Sequence, residues 1–197
     1  MFNGQPLPYF QPLIDTATGR IAGYEALARL RDDEGNITSA GPLFTDPEVN
    51  PADLLELDRC IRRMALERFR DNPDGFISLN ISPSWVSQLK PGQPLPSLQL
   101  LEEIGLPPDQ VVFEITELQG SIDQLRDVVQ RYRQACIRIA IDDFGAGYSM
   151  LARVLALEPA ILKLHIPLFR KAASGNGTRG HSTRALALMS ETRGERI

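Results

Sequence analysis

The chain has few of the residues that build covalent or soft-metal sites. Its 197 residues include two cysteines, Cys60 and Cys136, and two histidines. Two thiols so far apart in sequence do not form a disulfide framework or a thiolate zinc site. A metal ion in this protein would therefore be held by oxygen ligands. We expect Cys60 to lie in the core.

Long apolar runs and an excess of basic residues are also missing. No stretch approaches the roughly 18 apolar residues of a membrane span, and the first residues lack the basic segment and apolar run of a signal peptide. The formal net charge of -4, from 25 acidic and 21 basic side chains, disfavours a non-specific DNA-binding surface. We therefore expect a cytoplasmic protein, or a cytoplasmic part of a larger one, with no membrane segment and no DNA partner.

The composition that remains is that of a globular protein. Hydrophobic residues make up 43% and charged residues 23% of the chain, close to the averages for folded domains. The length is sufficient for one domain with a hydrophobic core and short for two. We therefore predict a single domain over residues 1–197.

The order of apolar segments predicts the fold class. Residues 7–14 and 21–30 flank a turn and predict a hairpin, 31–50 reads as a loop, and 51–70 has the apolar spacing of an amphipathic helix. Further along we predict strands at 75–81, 111–116, 137–141 and 160–164, and helices at 83–90, 98–104, 121–135, 150–157 and 183–189. This alternation indicates parallel βα units, arranged as an open doubly wound sheet or as a (β/α)8 barrel.

Polar side chains lie inside, or at the ends of, these apolar strands. They are Glu25, Asn80, Glu114, Asp142, Asp143 and Lys163. Such groups are costly to bury unless they are paired or coordinated, and the carboxyl ends of parallel strands meet on one face, where ligands bind. Carboxylate and carbonyl oxygens suit Mg²⁺ or Mn²⁺. The adjacent Asp142 and Asp143 can hold two ions of the kind that hydrolyse phosphoesters.

Each of these residues also has a purely structural interpretation. Asp142 and Asp143 could cap a helix, and Asn80 could be a turn residue. Glu25 or Glu114 could pair with an arginine in the core. The functional interpretation is favoured because polar residues recur at one end of successive strands.

The segments that carry these residues resemble the EAL family, which hydrolyses cyclic di-GMP. In chain order they are Tyr9-Phe10-Gln11-Pro12, Glu25-Ala26-Leu27-Ala28-Arg29, Leu79-Asn80-Ile81-Ser82-Pro83, Phe113-Glu114-Ile115-Thr116-Glu117, Ile141-Asp142-Asp143-Phe144-Gly145-Ala146-Gly147-Tyr148-Ser149 and Leu162-Lys163. The resemblance runs from about Leu7 to the C-terminus. It implies an α/β fold, a TIM-like (β/α)8 barrel with one antiparallel strand.

The resemblance also implies a metal site and a reaction. Glu25, Asn80, Glu114 and Asp142 would ligate a first Mg²⁺ or Mn²⁺, and Asp142 and Asp143 would contribute to a second. A metal-activated water would attack one phosphodiester bond of cyclic di-GMP and leave linear pGpG. Glu25 and Asp143 are thus catalytic residues by resemblance, together with the lysine of the last motif.

Further motif residues would bind substrate or couple the site to dimerisation. Lys163 would orient the attacking water or stabilise charge on the phosphate, Arg29 would contact a substrate phosphate, and Gln11 would line the substrate site. The segment 144–149 resembles the family's mobile loop, which links the metal site to a homodimer interface. The resemblance gives this coupling role to Phe144, Gly145 and Gly147 of the segment, and Glu117 would brace the loop.

The sequence departs from the family pattern at two places. His165 stands where the family reads aspartate, and the chain ends at Ile197, near the start of a strand that carries a further acidic residue in the family. The resemblance therefore implies a barrel lacking its last βα units, whose open edge could take a protein partner. Two functions stay open: an impaired cyclic di-GMP phosphodiesterase, or a catalytically inactive EAL module that binds cyclic di-GMP or a protein partner. Arg29 argues against a scaffold that binds no nucleotide.

Overall fold

A computed structural model describes residues 4–15, 17–71, 73–81, 93–115, 122–144 and 150–164. Its strands are β1 (Gln5–Asp15), β2 (Arg20–Arg31), β3 (Ile37–Ser39), β4 (Phe76–Asn80), β5 (Val111–Ile115), β6 (Arg138–Phe144) and β7 (Ile161–Leu164). Its α-helices are α1 (Pro51–Arg70), α2 (Pro96–Ile104), α3 (Ile122–Gln134) and α4 (Met150–Leu157), and short 3-10 helices cover Gly41–Thr45 and Pro108–Gln110. The predicted helices at 83–90 and 183–189 lie outside the described residues.

The strands form one sheet in the order β1-β2-β4-β5-β6-β7. The first two strands are an antiparallel hairpin, and every later pair on this path is parallel. This confirms the predicted α/β fold with its antiparallel N-terminal strand. The prediction of a loop over 31–50 is wrong for Ile37–Ser39, which forms β3 and pairs antiparallel with Arg29–Arg31 of β2. Since β4 covers only Gly23–Ala26, the end of β2 has backbone groups left to pair, and β3 satisfies them.

The sheet curls into a barrel wall. Strands β2 and β7 are four positions apart in the sheet, and neighbouring strands lie about 4.8 Å apart, so a flat sheet would separate them by roughly 19 Å. Yet Lys163 Nζ on β7 lies 2.9 Å from Glu25 Oε2 on β2. Only a strongly curved sheet allows this contact, and its concave side is the barrel interior.

The two faces of the sheet have different partners. On the outer face, alternate strand residues pack against all four helices in one core, which includes Phe10, Ile77, Phe113, Ile139, Leu66, Leu101, Leu125 and Leu157. On the inner face, an apolar layer near the amino ends of the parallel strands contains Leu13, Phe76, Val112 and Ala140, with Ile161 packed against it. The strands are therefore apolar on both sides, as buried parallel strands are. The polar residues lie further along the same inner face.

Local sequence sets the ends of the helices. The Asn50 side chain accepts a hydrogen bond from the Ala52 N–H at 2.8 Å, and Pro51 occupies the first position of α1. Helix α2 ends at Gly105, whose φ of 76° is in the left-handed region that glycine adopts without strain. Helix α1 buries one apolar face, as its sequence spacing predicts. Cys60 is exposed, so the expectation that it lies in the core is wrong. Successive helical residues are about 100° apart around the axis, so Cys60 lies to one side of the buried face that contains its neighbour Ile61.

No helix among the described residues is both long and apolar enough to cross a bilayer.

Candidate metal centre

A layer of polar side chains lies at the carboxyl ends of the parallel strands, on the inner face of the sheet. It consists of Glu25 on β2, Asn80 on β4, Glu114 on β5, Asp142 on β6 and Lys163 on β7. In the strand register, Glu25 lies opposite Ser78 and Asn80 lies opposite Glu114. Residues that are neighbours across a register share a face. The structure thus brings together five of the residues that the sequence singled out.

Lys163 is the centre of this layer. Its Nζ lies 2.7 Å from Glu114 Oε2, 2.9 Å from Glu25 Oε2 and 3.5 Å from Asp142 Oδ2. The lysine is buried, so these charge-assisted contacts are shielded from water. One ammonium therefore binds carboxylates from three strands at once.

Glu114 is the most deeply buried of the carboxylates, with 0% of the residue exposed. Its Oε1 accepts a hydrogen bond from Ser78 Oγ at 2.5 Å, and its Oε2 accepts one from Lys163. Asn80 Nδ2 donates to Glu25 Oε1 at 3.4 Å. Each of these side chains is held by a partner on another strand, so the layer is ordered by the sheet itself.

Burial and neighbouring charge shift the ionisation of this layer. Burial raises the pKa of Glu114 to about 7, the charges of Glu25 and Asp142 add to that rise, and Lys163 opposes it. Burial alone would lower the pKa of Lys163, but Glu114, Glu25 and Asp142 together hold it above the ordinary lysine value. The lysine is therefore a permanent cation, while Glu114 can exchange a proton near neutral pH.

The donor set fits a divalent cation of the Mg²⁺ and Mn²⁺ class. One oxygen each from Glu25, Glu114 and Asp142 lies within 4.8 Å of the others, and such hard cations take oxygen ligands. Three carboxylates face one ammonium, so the layer carries excess negative charge when all three are ionised. A cation bound by these residues would offset that excess.

Two predicted substrate residues lie on the neighbouring hairpin. Gln11 of β1 is paired directly with Glu25 in the register, which puts both on the inner face. Arg29 lies four residues beyond Glu25 on β2, hence on the same face by strand alternation, and its Nη1 donates to the Ala28 carbonyl at 2.9 Å. The site can therefore present a guanidinium and an amide beside the acidic layer.

The remaining predicted residues are placed only in part. Asp143 and Phe144 are the last residues of β6, and Phe144 is paired with Leu164 of β7. Several predictions fall outside the described residues. They concern the loop and coupling residues Glu117, Gly145 and Gly147, and the two departures from the family pattern, at His165 and at the C-terminus. The roles assigned to all these residues stay predictions.

Sequence reasoning missed Ser78, a residue of β4 that bonds to this layer. It is 2% exposed and bonds Glu114 from the neighbouring strand. The signal was available, since Ser78 is a polar residue inside an apolar strand, two residues before Asn80 and so on the same face. In the sequence the carboxylates are conspicuous because they are charged, whereas the uncharged hydroxyl of Ser78 is not.

Fold and site together define an α/β barrel protein with an acidic layer at the carboxyl ends of its strands, whose carboxylates could hold a cation. The chain belongs to the EAL domain family, whose sequence model matches residues 2–195. It is 33% identical over 165 residues to YkuI of Bacillus subtilis, an uncharacterized EAL-domain containing protein, in a match covering 81% of this chain and 40% of YkuI. It is 29% identical over 162 residues to PdeB of Escherichia coli, named a probable cyclic di-GMP phosphodiesterase, covering 79% of this chain and 31% of PdeB.

Solved structures give the same family. The crystal structure of YkuI with substrate cyclic di-GMP and calcium is similar with a TM-score of 0.71 and 34% identity, covering 81% of this chain and 40% of that one. A manganese and cyclic di-GMP complex of BlrP1 from Klebsiella pneumoniae has a TM-score of 0.70 and 28% identity, covering 87% of this chain and 43% of that one. The similarity thus spans less than half the length of each of these relatives.

Proposed function

We propose that this chain hydrolyses cyclic di-GMP to linear pGpG with a divalent cation, Mg²⁺ or Mn²⁺. The observation that carries the proposal is the convergence of Glu25, Glu114 and Asp142 on Lys163, inside the barrel. Membership of the EAL family supports it, as does the presence of cyclic di-GMP with calcium or manganese in similar structures.

In this proposal the acidic layer holds the cation. Glu25, Asn80, Glu114 and Asp142 would bind a first ion, and Asp142 with Asp143 would contribute to a second. When bound, such ions lower the pKa of water and neutralise charge on phosphoryl oxygens. The protein's own part is to fix these oxygens on rigid strands before substrate arrives, which lowers the cost of reorganisation during the reaction.

Other residues would bind and orient the substrate. Lys163, kept cationic by its neighbours, would stabilise charge on the phosphate or orient the attacking water. Arg29 would contact a substrate phosphate, for which a planar guanidinium is suited, and Gln11 would line the site. Coupling to a homodimer through Glu117, Phe144, Gly145 and Gly147, and a protein partner at the C-terminal edge, stay predictions from the family resemblance.

The test is turnover of cyclic di-GMP by the full chain with Mn²⁺, with pGpG followed by chromatography. Glu25→Ala gives the background, because it removes a carboxylate that bonds Lys163 and Asn80. Glu67→Ala is the matched control, because it removes the same group from an exposed position on α1. We expect product from the unaltered chain and from Glu67→Ala only.

Folding of each variant is checked by its circular dichroism and thermal midpoint. If Glu25→Ala does not fold, Glu25→Gln keeps the size of the side chain and removes its charge. No product above the Glu25 background, from an unaltered chain that is folded, would contradict the proposal.

A second candidate is binding of cyclic di-GMP without hydrolysis. The observation that favours it is His165, a neutral side chain where the family reads a carboxylate, because a second hard cation would bind more weakly there. Binding needs fewer interactions than stabilisation of the transition state. Calorimetric binding of cyclic di-GMP, together with no turnover in the first assay, would select this candidate.

A further inference from the structure

Ser78 contacts the acidic layer from inside the sheet. Its hydroxyl is 2.5 Å from Glu114 Oε1, and the two residues are 2% and 0% exposed. The hydroxyl is the donor whenever Glu114 is ionised, since an ionised carboxylate can only accept. This is a short, charge-assisted hydrogen bond in a place that water does not reach.

The two oxygens of Glu114 have different partners. Oε1 accepts from Ser78, whereas Oε2 accepts from Lys163 Nζ at 2.7 Å, and that ammonium also contacts Glu25 and Asp142. Turning the carboxylate plane out of this orientation would break both bonds, whereas a half-turn would only exchange its two equivalent oxygens. Without the serine hydroxyl, Oε1 would lose its donor, and the burial of this carboxylate makes an unpaired oxygen costly.

We propose that Ser78 is a positioning residue of the cation site, which orients Glu114 so that Oε2 faces the cation. The inference rests on the proposed function only in that Glu114 binds a cation. Hydrogen bonds to a ligating carboxylate commonly set metal affinity, and their loss weakens it about 10- to 100-fold. Ser78 itself does not touch the cation or the substrate in this proposal.

The chain contains a matched serine for comparison. Ser97 on α2 is also 2% exposed, and its Oγ lies 2.7 Å from the Tyr132 hydroxyl. The Tyr132 ring packs on Phe113, 4.7 Å between centroids, and Phe113 belongs to the outer core. Ser97→Ala therefore removes the same buried hydroxyl on the helix side of the sheet, away from the acidic layer.

The experiment measures the affinity of the full chain for Mn²⁺ alone, by calorimetry and by the paramagnetic resonance of free Mn²⁺. We expect Ser78→Ala to bind Mn²⁺ about 10- to 100-fold more weakly. Ser97→Ala should bind it as the unaltered chain does, although both variants lose thermal stability. Ser78→Thr keeps the hydroxyl and should restore most of the affinity.

The other outcomes distinguish a failure of this inference from a failure of the proposed function. Unchanged Mn²⁺ affinity in Ser78→Ala would overturn the role of Ser78, and equal weakening in Ser97→Ala would show that only general stability is involved. Binding of Mn²⁺ by the unaltered chain without turnover would contradict the proposed hydrolysis and leave the role of Ser78 supported by its own result. No Mn²⁺ binding by the unaltered chain would overturn both.

Discussion

Two buried clusters of charge lie on opposite faces of the same sheet. On the inner face, Lys163 binds Glu25, Glu114 and Asp142. On the outer face, Arg62 of α1 forms an ion pair at 2.7 Å with Asp58, one helical turn earlier. Its guanidinium also lies 5.5 Å from the centre of the Phe113 ring. Both clusters are largely buried, but among the described residues the inner one has three acids to one base and the outer one has one acid to one base.

The difference in charge balance indicates which cluster is built for a ligand. The outer pair is neutral as it stands, and the stacking of its guanidinium on an aromatic ring adds to its stability. Among the described residues the inner cluster has three carboxylates to one ammonium, and surplus negative charge is expensive to bury without a further cation. Burial alone therefore does not distinguish the two clusters, whereas their balance of charge among the described residues does.

The largest expected effect comes from removing the lysine ammonium of the inner cluster. Lys163→Met should lower the free energy of unfolding of the cation-free chain by about 3–5 kcal/mol, because Glu25, Glu114 and Asp142 then face one another without the ammonium between them. Added Mn²⁺ should restore a large part of that loss, since it binds the same oxygens. Urea unfolding in EDTA and in Mn²⁺ measures both quantities.

Arg62→Met provides the matched control for this prediction. It removes the cation of the balanced cluster and leaves Asp58 unpaired, so it should also destabilise the chain in EDTA. Mn²⁺ should not rescue it beyond the stabilisation seen in the unaltered chain. Rescue of both variants to the same extent, or of neither, would contradict the distinction between the two clusters.

A smaller effect is expected from removing the acid of the outer pair. Asp58→Asn should lower the free energy of unfolding by about 1.5–3 kcal/mol, the size of a hydrogen bond to a charged group, and leave Mn²⁺ affinity unchanged. The exposed ion pair between Arg63 and Glu67 on the same helix gives a control, because Glu67→Gln should cost less stability. Weaker Mn²⁺ binding by Asp58→Asn would show that the clusters communicate, through the Asn80 carbonyl that Arg62 Nη2 contacts at 3.4 Å.

Sequence periodicity predicted most of the fold because it acts locally. The hairpin of β1 and β2, helix α1 and the alternation of parallel strands all follow from spacing within short windows. Strand β3 was missed, since three residues carry no readable period and its pairing depends on where β4 stops along β2.

The site was predictable as a set of residues but not as a set of contacts. Glu25, Asn80, Glu114, Asp142 and Lys163 share the property of being polar in apolar strands, and that property is visible in sequence. Their contacts join residues as far apart as Glu25 and Lys163, and depend on the register and curvature of the sheet. The bond from Ser78 to Glu114 depends on register in the same way, so it emerged only from the structure.

The last expected effect is a dependence of cation-free stability on pH, which tests whether the inner cluster titrates as a buried acid. Burial raises the pKa of Glu114 from near 4.5 to about 7. Between these values the folded chain retains a proton that the unfolded chain releases. The stabilisation is therefore complete below the lower value and is lost as pH rises through the upper one.

Unfolding in EDTA across that range should therefore show a falling free energy of unfolding as pH rises. Glu114→Gln has no such proton, so its slope should be flatter, and the difference between the two chains removes the contribution of every other group. Mn²⁺ affinity should change in the opposite direction and rise with pH, because the proton and the cation compete for Glu114. Parallel slopes in the two chains would mean that Glu114 is ionised throughout, and the surplus charge of the inner cluster would then be present even at acidic pH.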